Sequence, residues 1–180
     1  MTAAEVIHIL TPLVPGATFD VGASVDFAAV YVPAEHIVAT CAALRDHLNF
    51  EVLVEVTAAD YLPRNPRYEV VYHLLSVSRR ERLRLKVRVG AAGTVPTVQS
   101  VYPGAGWLER EVWDMFGIVF DGHNDLRRLL LPEDWEGHPA RKDYPVQIQK
   151  GAQTYSPLEV SQEQFRANLE RDRVKRAQPH

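Results

Sequence analysis

The strictest pattern in this sequence is an alternation of cationic and apolar residues over positions 82–89. Its cations are Arg82, Arg84, Lys86 and Arg88, and its apolar residues are Leu83, Leu85, Val87 and Val89. Successive side chains of a β-strand point to opposite faces, so this period of two predicts a strand with one charged face and one apolar face. Such a strand fits an antiparallel sheet that packs helices on one face and meets water on the other.

Other patterns before position 103 predict the elements that pack with this strand. They are a short helix over Ala3 to Leu10, a strand or hairpin over Phe19 to Val32, a helix that begins at Pro33, and strands over 50–56 and Tyr68 to Ser76. Residues 1–103 are therefore predicted to form an α+β domain, with a mostly antiparallel sheet and helices on one face.

Cys41 is the only cysteine among the 180 residues. A single thiol cannot close a disulfide within the chain, and it cannot supply the ligands of a cysteine-bound zinc or iron–sulfur centre. Cys41 falls on the apolar face of the helix after Pro33, which favours a small core residue over a nucleophile. Any cofactor that thiolates hold is therefore expected in another protein.

Charge and hydropathy exclude two further classes of protein. The formal net charge of -3 argues against a general nucleic-acid binder, which needs a clustered surplus of cations. The longest apolar run, Phe27 to Val32, is too short to cross a bilayer, and no signal-peptide pattern opens the sequence. We expect a soluble, cytoplasmic chain.

The cationic row of residues 82–89 has two interpretations. It is either a phosphate-binding stripe, as in a nucleic-acid adaptor, or a solvated sheet face whose partners on a neighbouring strand are Glu51, Glu55 or Glu69. The net charge favours the solvated face.

A helix is predicted over Gly104 to Phe116, and Gly117 is placed to end it. Its apolar side is formed by Leu108, Val112, Met115 and Phe116. Arg110 and Asp114 are four positions apart and are predicted to form an ion pair on this helix. The residues that follow, up to Pro145, show no sustained period and predict an extended chain.

The segment 107–145, called the arm below, has the composition of a binding surface. It contains Trp107, Trp113, Trp135, Arg127, Arg128, Arg141, Lys142 and Tyr144. Tryptophan, tyrosine and arginine dominate interface hot spots, and an extended chain cannot bury its own aromatic residues. The arm, within a region 104–146, therefore predicts an assembly subunit. The tail 147–180 is polar, and Ser156 to Gln178 is either a helix that a partner orders or a disordered segment.

Two histidines in the arm allow a rival interpretation. His123 and His138 lie near Asp121, Asp125, Asp134 and Asp143 in the sequence, which makes a metal-dependent hydrolase conceivable. Their spacing matches neither an H-E-x-x-H helix nor an EF-hand loop, and no P-loop or nucleophile elbow is present. The favoured interpretation is that both histidines bond to nearby backbone or carboxylates and fix the extended chain.

The arm also resembles a known family. The run WLEREVWDMFGIVFDGHNDLRRLLLPEDWEGHPARKDYP is similar to the hallmark segment of the C subunit, also called the 30 kDa subunit, of respiratory complex I. The matching positions are Glu109, Arg110, Glu111, Trp113, Asp114, Phe116, Gly117, Gly122, His123, Leu126, Arg127, Arg128, Asp134, Trp135, Gly137, His138, Pro139, Arg141, Lys142, Asp143 and Pro145. Asn124 and Ala140 depart from the pattern, and the likeness covers roughly residues 25 to 146.

The resemblance implies a non-catalytic subunit of the peripheral arm of proton-pumping NADH:quinone oxidoreductase, on the cytoplasmic side of the membrane. It implies neighbours that are the quinone-site D subunit and the cluster-bearing B and G subunits. It also implies no cofactor in this chain, with FMN and iron–sulfur clusters held by partner subunits. Chloroplast-type complexes and energy-converting hydrogenases contain related subunits, so they remain alternatives.

Two sets of residues are predicted to carry this role. The set expected at partner interfaces is Trp107, Arg127, Arg128, Trp135, His138, Arg141, Lys142 and Tyr144. The set expected to organise the arm is Glu109, Arg110, Asp114, Gly117 and His123. No catalytic, cofactor-binding or metal-binding residue is assigned.

Overall fold

The alternating segment lies in the middle of a five-stranded sheet in the computed structural model, which describes residues 1–145. The elements in chain order are α1 (Ala3–Leu13), β1 (Asp20–Val21), β2 (Ala29–Tyr31), a 3-10 turn (Ala34–His36), α2 (Ile37–Leu48), β3 (Val52–Asp60), β4 (Tyr68–Ser76), β5 (Glu81–Val89), β6 (Thr94–Pro96), α3 (Ala105–Phe116) and β7 (Val119–Asp121). The predicted tail and its helix lie outside the described residues.

The large sheet has the strand order β1-β2-β5-β4-β3. β1 and β2 pair antiparallel as the predicted hairpin, and β3, β4 and β5 form an antiparallel meander. β2 and β5 pair in parallel, so the sheet is mixed although most of its pairs are antiparallel. The predicted α+β class is confirmed. Residues 1–145 form one compact unit, and none of their helices is long and apolar enough to span a bilayer.

The core forms between the inner sheet face and the helices. Leu83, Leu85, Val87 and Val89 of β5 are buried as their alternation predicted. They share one apolar cluster with Cys41 of α2. Burial raises the pKa of the Cys41 thiol to about 12, with a smaller contribution from Glu109, so this thiol stays protonated.

The outer face of β5 is a solvated and charge-paired sheet face, as predicted. Glu69 on β4 lies 3.7 Å from the Lys86 ammonium and 4.0 Å from Arg88, and Asp26 pairs with Arg84 at 3.5 Å. The other two predicted partners differ. Glu51 accepts the backbone N–H of Val77, and Glu55 forms no ion pair within residues 1–145.

A second, two-stranded sheet positions α3. β6 and β7 pair in parallel on either side of α3 in sequence, and Gly117 ends the helix with a left-handed φ of 71°. The predicted apolar side of α3 is only partly correct, because Val112 is buried whereas the other three residues are half-buried. The residues buried beside Val112 include Glu109, Arg110 and Asp114. The buried surface of this helix is therefore largely charged.

Candidate functional site

Residues 122–145, called the strap below, follow β7 as an extended chain along α3. None of them is fully buried. A surface segment of this length has no core of its own, so polar contacts must hold it in place. Those contacts come mainly from α3, and the candidate site is built from the two together.

Asp114 of α3 is the central anchor of the strap. One of its carboxylate oxygens accepts three consecutive backbone N–H groups, from Leu129, Leu130 and Leu131, at 3.0, 2.8 and 3.0 Å. The other oxygen accepts a hydrogen bond from the Arg128 guanidinium at 2.9 Å. Burial alone would raise the pKa of this carboxyl, but these donors outweigh it and lower the pKa below its usual 3.8. Asp114 is therefore a charged, fully paired group.

Arg128 ties the strap to itself as well as to α3. Its second terminal nitrogen donates to the carbonyls of Trp135 and Gly137 at 2.7 and 2.8 Å. Its guanidinium also lies over the Trp113 ring, 5.5 Å from the centroid. This arginine therefore closes a loop of the strap around its own side chain.

The strap supplies hydrogen-bond donors to the C-terminal end of α3. His138 Nδ1 donates to the carbonyl of Asp114 at 2.9 Å, and the backbone N–H of Ala140 donates to Met115 at 3.0 Å. Arg141 Nε donates to the carbonyl of Phe116 at 2.5 Å. The last turn of α3 contains no basic residue of its own. Donors from the strap therefore satisfy its open carbonyls, and the Arg141 guanidinium also complements its dipole.

The N-terminal half of the strap is fixed by Arg110. This guanidinium donates to the carbonyls of Arg127 and Arg128 at 2.7 and 2.5 Å and lies 3.5 Å from Asp125. It also stacks on Trp107, 5.6 Å from the ring centroid. The predicted ion pair between Arg110 and Asp114 is wrong, because each group has better-placed partners on the strap.

A cluster outside the predicted set holds the C-terminal end of the strap. Arg67 forms a two-point ion pair with Asp60 and another with Asp143, with shortest distances of 2.6 Å in both. Asp60 also accepts the backbone N–H of Lys142 at 2.8 Å. Hydrogen bonding to Arg67 holds the pKa of Asp60 far below its usual range. The Pro-rich turn between Asp60 and Arg67 was the available sequence signal, but nothing in the spacing indicated Asp143.

His123 joins the strap to the start of α3, and Glu109 joins α3 to the segment that follows β6. Glu109 is buried and accepts hydrogen bonds from Thr97 Oγ1 at 2.5 Å and from the Val98 N–H at 2.8 Å. His123 Nδ1 accepts the N–H of Asp125, so its Nε2 donates to the Gly106 carbonyl at 2.9 Å. Both arm histidines bond to backbone, as predicted. The described residues contain no group of three or more His, Cys, Asp or Glu able to hold a metal.

The burial of Glu109 gives a prediction about pH. Burial raises the pKa of its carboxyl above the usual 4.5, despite the bonds from Thr97 and Val98. Because the folded state favours the protonated form, this carboxyl costs stability progressively as the pH rises from 4.5 through the raised pKa. We expect the free energy of unfolding of Glu109→Gln, minus that of the wild type, to increase with pH across this window, because Gln does not ionise. Urea unfolding from pH 4 to 8 measures this difference. Exposed Glu133→Gln is the control, and an unchanged difference for Glu109→Gln would contradict the prediction.

The predicted interface residues divide into three groups in the structure. Trp107 is 64% exposed, the Arg127 side chain is 67% exposed, and Lys142 is exposed. Arg128, His138 and Arg141 instead hold the strap on α3. Trp135 and Tyr144 are half-buried, and the Tyr144 hydroxyl donates to the Glu136 carbonyl. The partner-contact role of this set stays a prediction.

Comparison with known proteins points to respiratory enzymes. The model of a family described as the 30 kDa subunit of respiratory-chain NADH dehydrogenase matches residues 30–150. The chain is 44% identical over 151 residues to the C 2 subunit of NADH-quinone oxidoreductase from Rhizobium meliloti (strain 1021), covering 81% of this chain and 82% of that protein. It is 49% identical over 130 residues to the C subunit of NADH-quinone oxidoreductase from Roseiflexus sp. (strain RS-1), covering 71% and 75%.

A solved structure resembles the fold as well. One chain of the membrane-bound sulfane sulfur reductase, an archaeal respiratory membrane complex, superposes with a TM-score of 0.61 at 26% identity. The match covers 87% of this chain and 90% of that one.

Proposed function

Because the chain belongs to the family of the 30 kDa subunit of respiratory-chain NADH dehydrogenase, we propose that it acts as a non-catalytic structural subunit of the peripheral arm of NADH-quinone oxidoreductase. In this role it supports electron transfer from NADH to quinone, coupled to proton translocation, without carrying electrons itself. Its neighbours are then the quinone-site D subunit and the cluster-bearing B and G subunits, on the cytoplasmic side of the membrane.

The observation that carries this proposal is the saturation of the charged groups that join the strap to α3. Asp114 accepts four hydrogen bonds, and Arg128 donates to both Asp114 and two backbone carbonyls. Groups whose carboxylate oxygens and terminal nitrogens are all engaged hold a shape and are poorly placed to move protons or bind substrate. The strap therefore serves as a rigid surface for neighbouring subunits.

The chemistry of Cys41 supports the assignment of redox groups to other subunits. An iron–sulfur cluster needs several thiolates, whereas this chain has one buried thiol whose raised pKa keeps it protonated. FMN and the clusters of the complex are accordingly assigned to partner chains, and this chain contributes only their support.

Arg141→Ala tests the structural role. Loss of the Arg141 bonds to the Phe116 and Gly117 carbonyls loosens the strap where it covers the C-terminal end of α3. We therefore expect impaired assembly of the peripheral arm while residues 1–103 stay folded. Tagged variants are isolated from detergent-solubilised membranes, and the co-isolated subunits and quinone reductase activity are measured. Glu133→Ala, an exposed position on the same strap and outside the predicted interface set, is the control. Normal assembly and activity in Arg141→Ala would contradict the proposal.

A second candidate function follows from the match to a different respiratory membrane complex. The chain would then be the equivalent subunit of a related quinone- or ferredoxin-linked complex. The same isolation separates the two, since NADH-oxidising, FMN-bearing chains accompany the tagged protein only in the first case.

A further inference from the structure

An exposed site with excess positive charge lies where the strap meets the first turns of α3. A groove of about 420 Å³ opens there, and Trp107, Arg110, Asn124 and Asp125 line it. The volume is sufficient for one or two side chains of another protein. The groove adjoins Arg127, because Arg110 bonds to the Arg127 carbonyl at 2.7 Å and Arg127 Nε lies 3.0 Å from Asp125.

The charges at this site do not balance within residues 1–145. Arg110 and Arg127 share the single carboxylate of Asp125, at 3.5 and 3.0 Å. Two guanidinium groups against one carboxylate leave one positive charge at the surface.

Of the two arginines, Arg127 is the one that can still bind a group from another molecule. Three groups fix Arg110, namely two backbone carbonyls and Asp125. The terminal nitrogens of Arg127, by contrast, make no hydrogen bond within residues 1–145, and its side chain faces solvent. A guanidinium with two free terminal nitrogens matches a carboxylate geometrically.

The groove next to Arg127 adds an apolar contact. Arg110 stacks on Trp107 and holds the exposed indole at the groove rim. Tryptophan and arginine are two of the residue types most enriched at the hot spots of protein interfaces. An occupant with a carboxylate and a neighbouring apolar side chain would satisfy both.

From these contacts we infer that the groove at Trp107, beside Arg127, receives an acidic side chain, flanked by an apolar residue, from a neighbouring subunit. The inference rests on the proposed function and adds to it the chemistry of the partner. Trp107 contacts the apolar residue, and the Arg127 terminal nitrogens pair with the carboxylate. Gln99 and Asn124 also line the groove, and their side-chain amides are further hydrogen-bond donors.

Charge reversal tests the inference in the assembled complex. Arg127→Glu in the tagged full chain should lower the recovery of neighbouring subunits about tenfold, because like charges then meet at the groove. Arg79→Glu is the matched control, since Arg79 also pairs through Nε with a carboxylate two positions away, at 3.0 Å from Glu81. Equal recovery with the two variants would overturn the inference.

A second measurement keeps Arg127 intact. The photo-crosslinking residue p-benzoylphenylalanine is placed at Asn124, and the crosslinked peptide is sequenced from the isolated complex. A peptide of a neighbouring subunit with Asp or Glu beside an apolar residue supports the inference. Changing that Asp or Glu to Arg in the partner should then restore assembly with the Arg127→Glu variant, which would support it too. A crosslink to lipid, or to a segment without an acidic residue, overturns it. If the unmodified chain recovers no respiratory subunits, the proposed function itself fails.

Discussion

Replacing Asp114 by Asn is expected to lower the free energy of unfolding by about 3–5 kcal/mol, the usual cost of breaking a buried ion pair from one side. The Asn amide has the shape of the carboxylate, but it is neutral. Its NH2 group replaces one acceptor oxygen and faces hydrogen-bond donors. Arg128 and the N–H groups of residues 129–131 then lose their shared acceptor. We expect the strap to detach from α3 before the core unfolds.

Denaturant unfolding combined with amide hydrogen exchange measures both parts of this result. The amides of residues 129–131 should be protected in the wild type and exchange quickly in Asp114→Asn. Exposed Asp134→Asn, on the same strap, is the control. Because the pKa of Asp114 is lowered in the folded state, its contribution is complete at neutral pH and is lost only as the pH falls through that lowered value. Protected amides in Asp114→Asn would contradict the assignment of Asp114 as anchor.

Gly117→Ala should cost about 2–4 kcal/mol, the sum of two effects. The φ of 71° is unfavourable for any residue with a Cβ atom. In addition, a Cβ at this position would lie within 2.6 Å of the His138 ring and closer still to Arg141 Nη2. The strap therefore cannot keep its contacts with the end of α3 if position 117 has a side chain.

Gly122→Ala separates these two effects. Gly122 has a similar φ of 79°, but a Cβ there would meet only Thr97, at 3.4 Å. Its cost, measured by thermal or urea unfolding, should be the backbone strain alone, about 1 kcal/mol. The excess cost of Gly117→Ala should shrink in an Arg141→Ala background, since one of the two clashing side chains is then absent. Equal costs for the two glycine variants would rule out the steric explanation.

The sheet and helices were predictable because they follow local periodicity. The period of two in β5 set which side chains face the core, and Gly117 marked the end of α3. The parallel pairing of β2 with β5 was not predictable, since two strands distant in sequence carry no signal of relative direction. β6 and β7 have three residues each, too few for a period to show.

The buried face of α3 was hard to predict for a different reason. A periodicity argument assigns charged residues to the solvent side, yet Glu109 and Asp114 are buried because donors from distant parts of the chain reach them. The predicted ion pair between Arg110 and Asp114 was wrong for the same reason, because partners that are distant in the sequence bind both residues. A neighbour four positions away offers one contact, whereas the strap offers each group several at once.

Composition predicted that this part of the chain forms a binding surface, but it did not predict that its adjacent arginines have different roles. Arg127 and Arg128 are adjacent and chemically identical in the sequence. The extended backbone directs Arg128 to Asp114 and leaves Arg127 in solvent. Only the folded positions of α3 and the strap distinguish a residue that holds the surface from one that can contact a partner.

The attachment at Asp114 has a consequence for how this surface can change over evolutionary time. The Asp114 carboxylate accepts hydrogen bonds from the backbone N–H groups of residues 129–131, and every amino acid except proline has such an N–H group. Leu130 is 61% exposed, and only its backbone takes part in holding the strap on Asp114. The outward chemistry at position 130 can therefore drift to suit a changing neighbour while the strap itself stays in place.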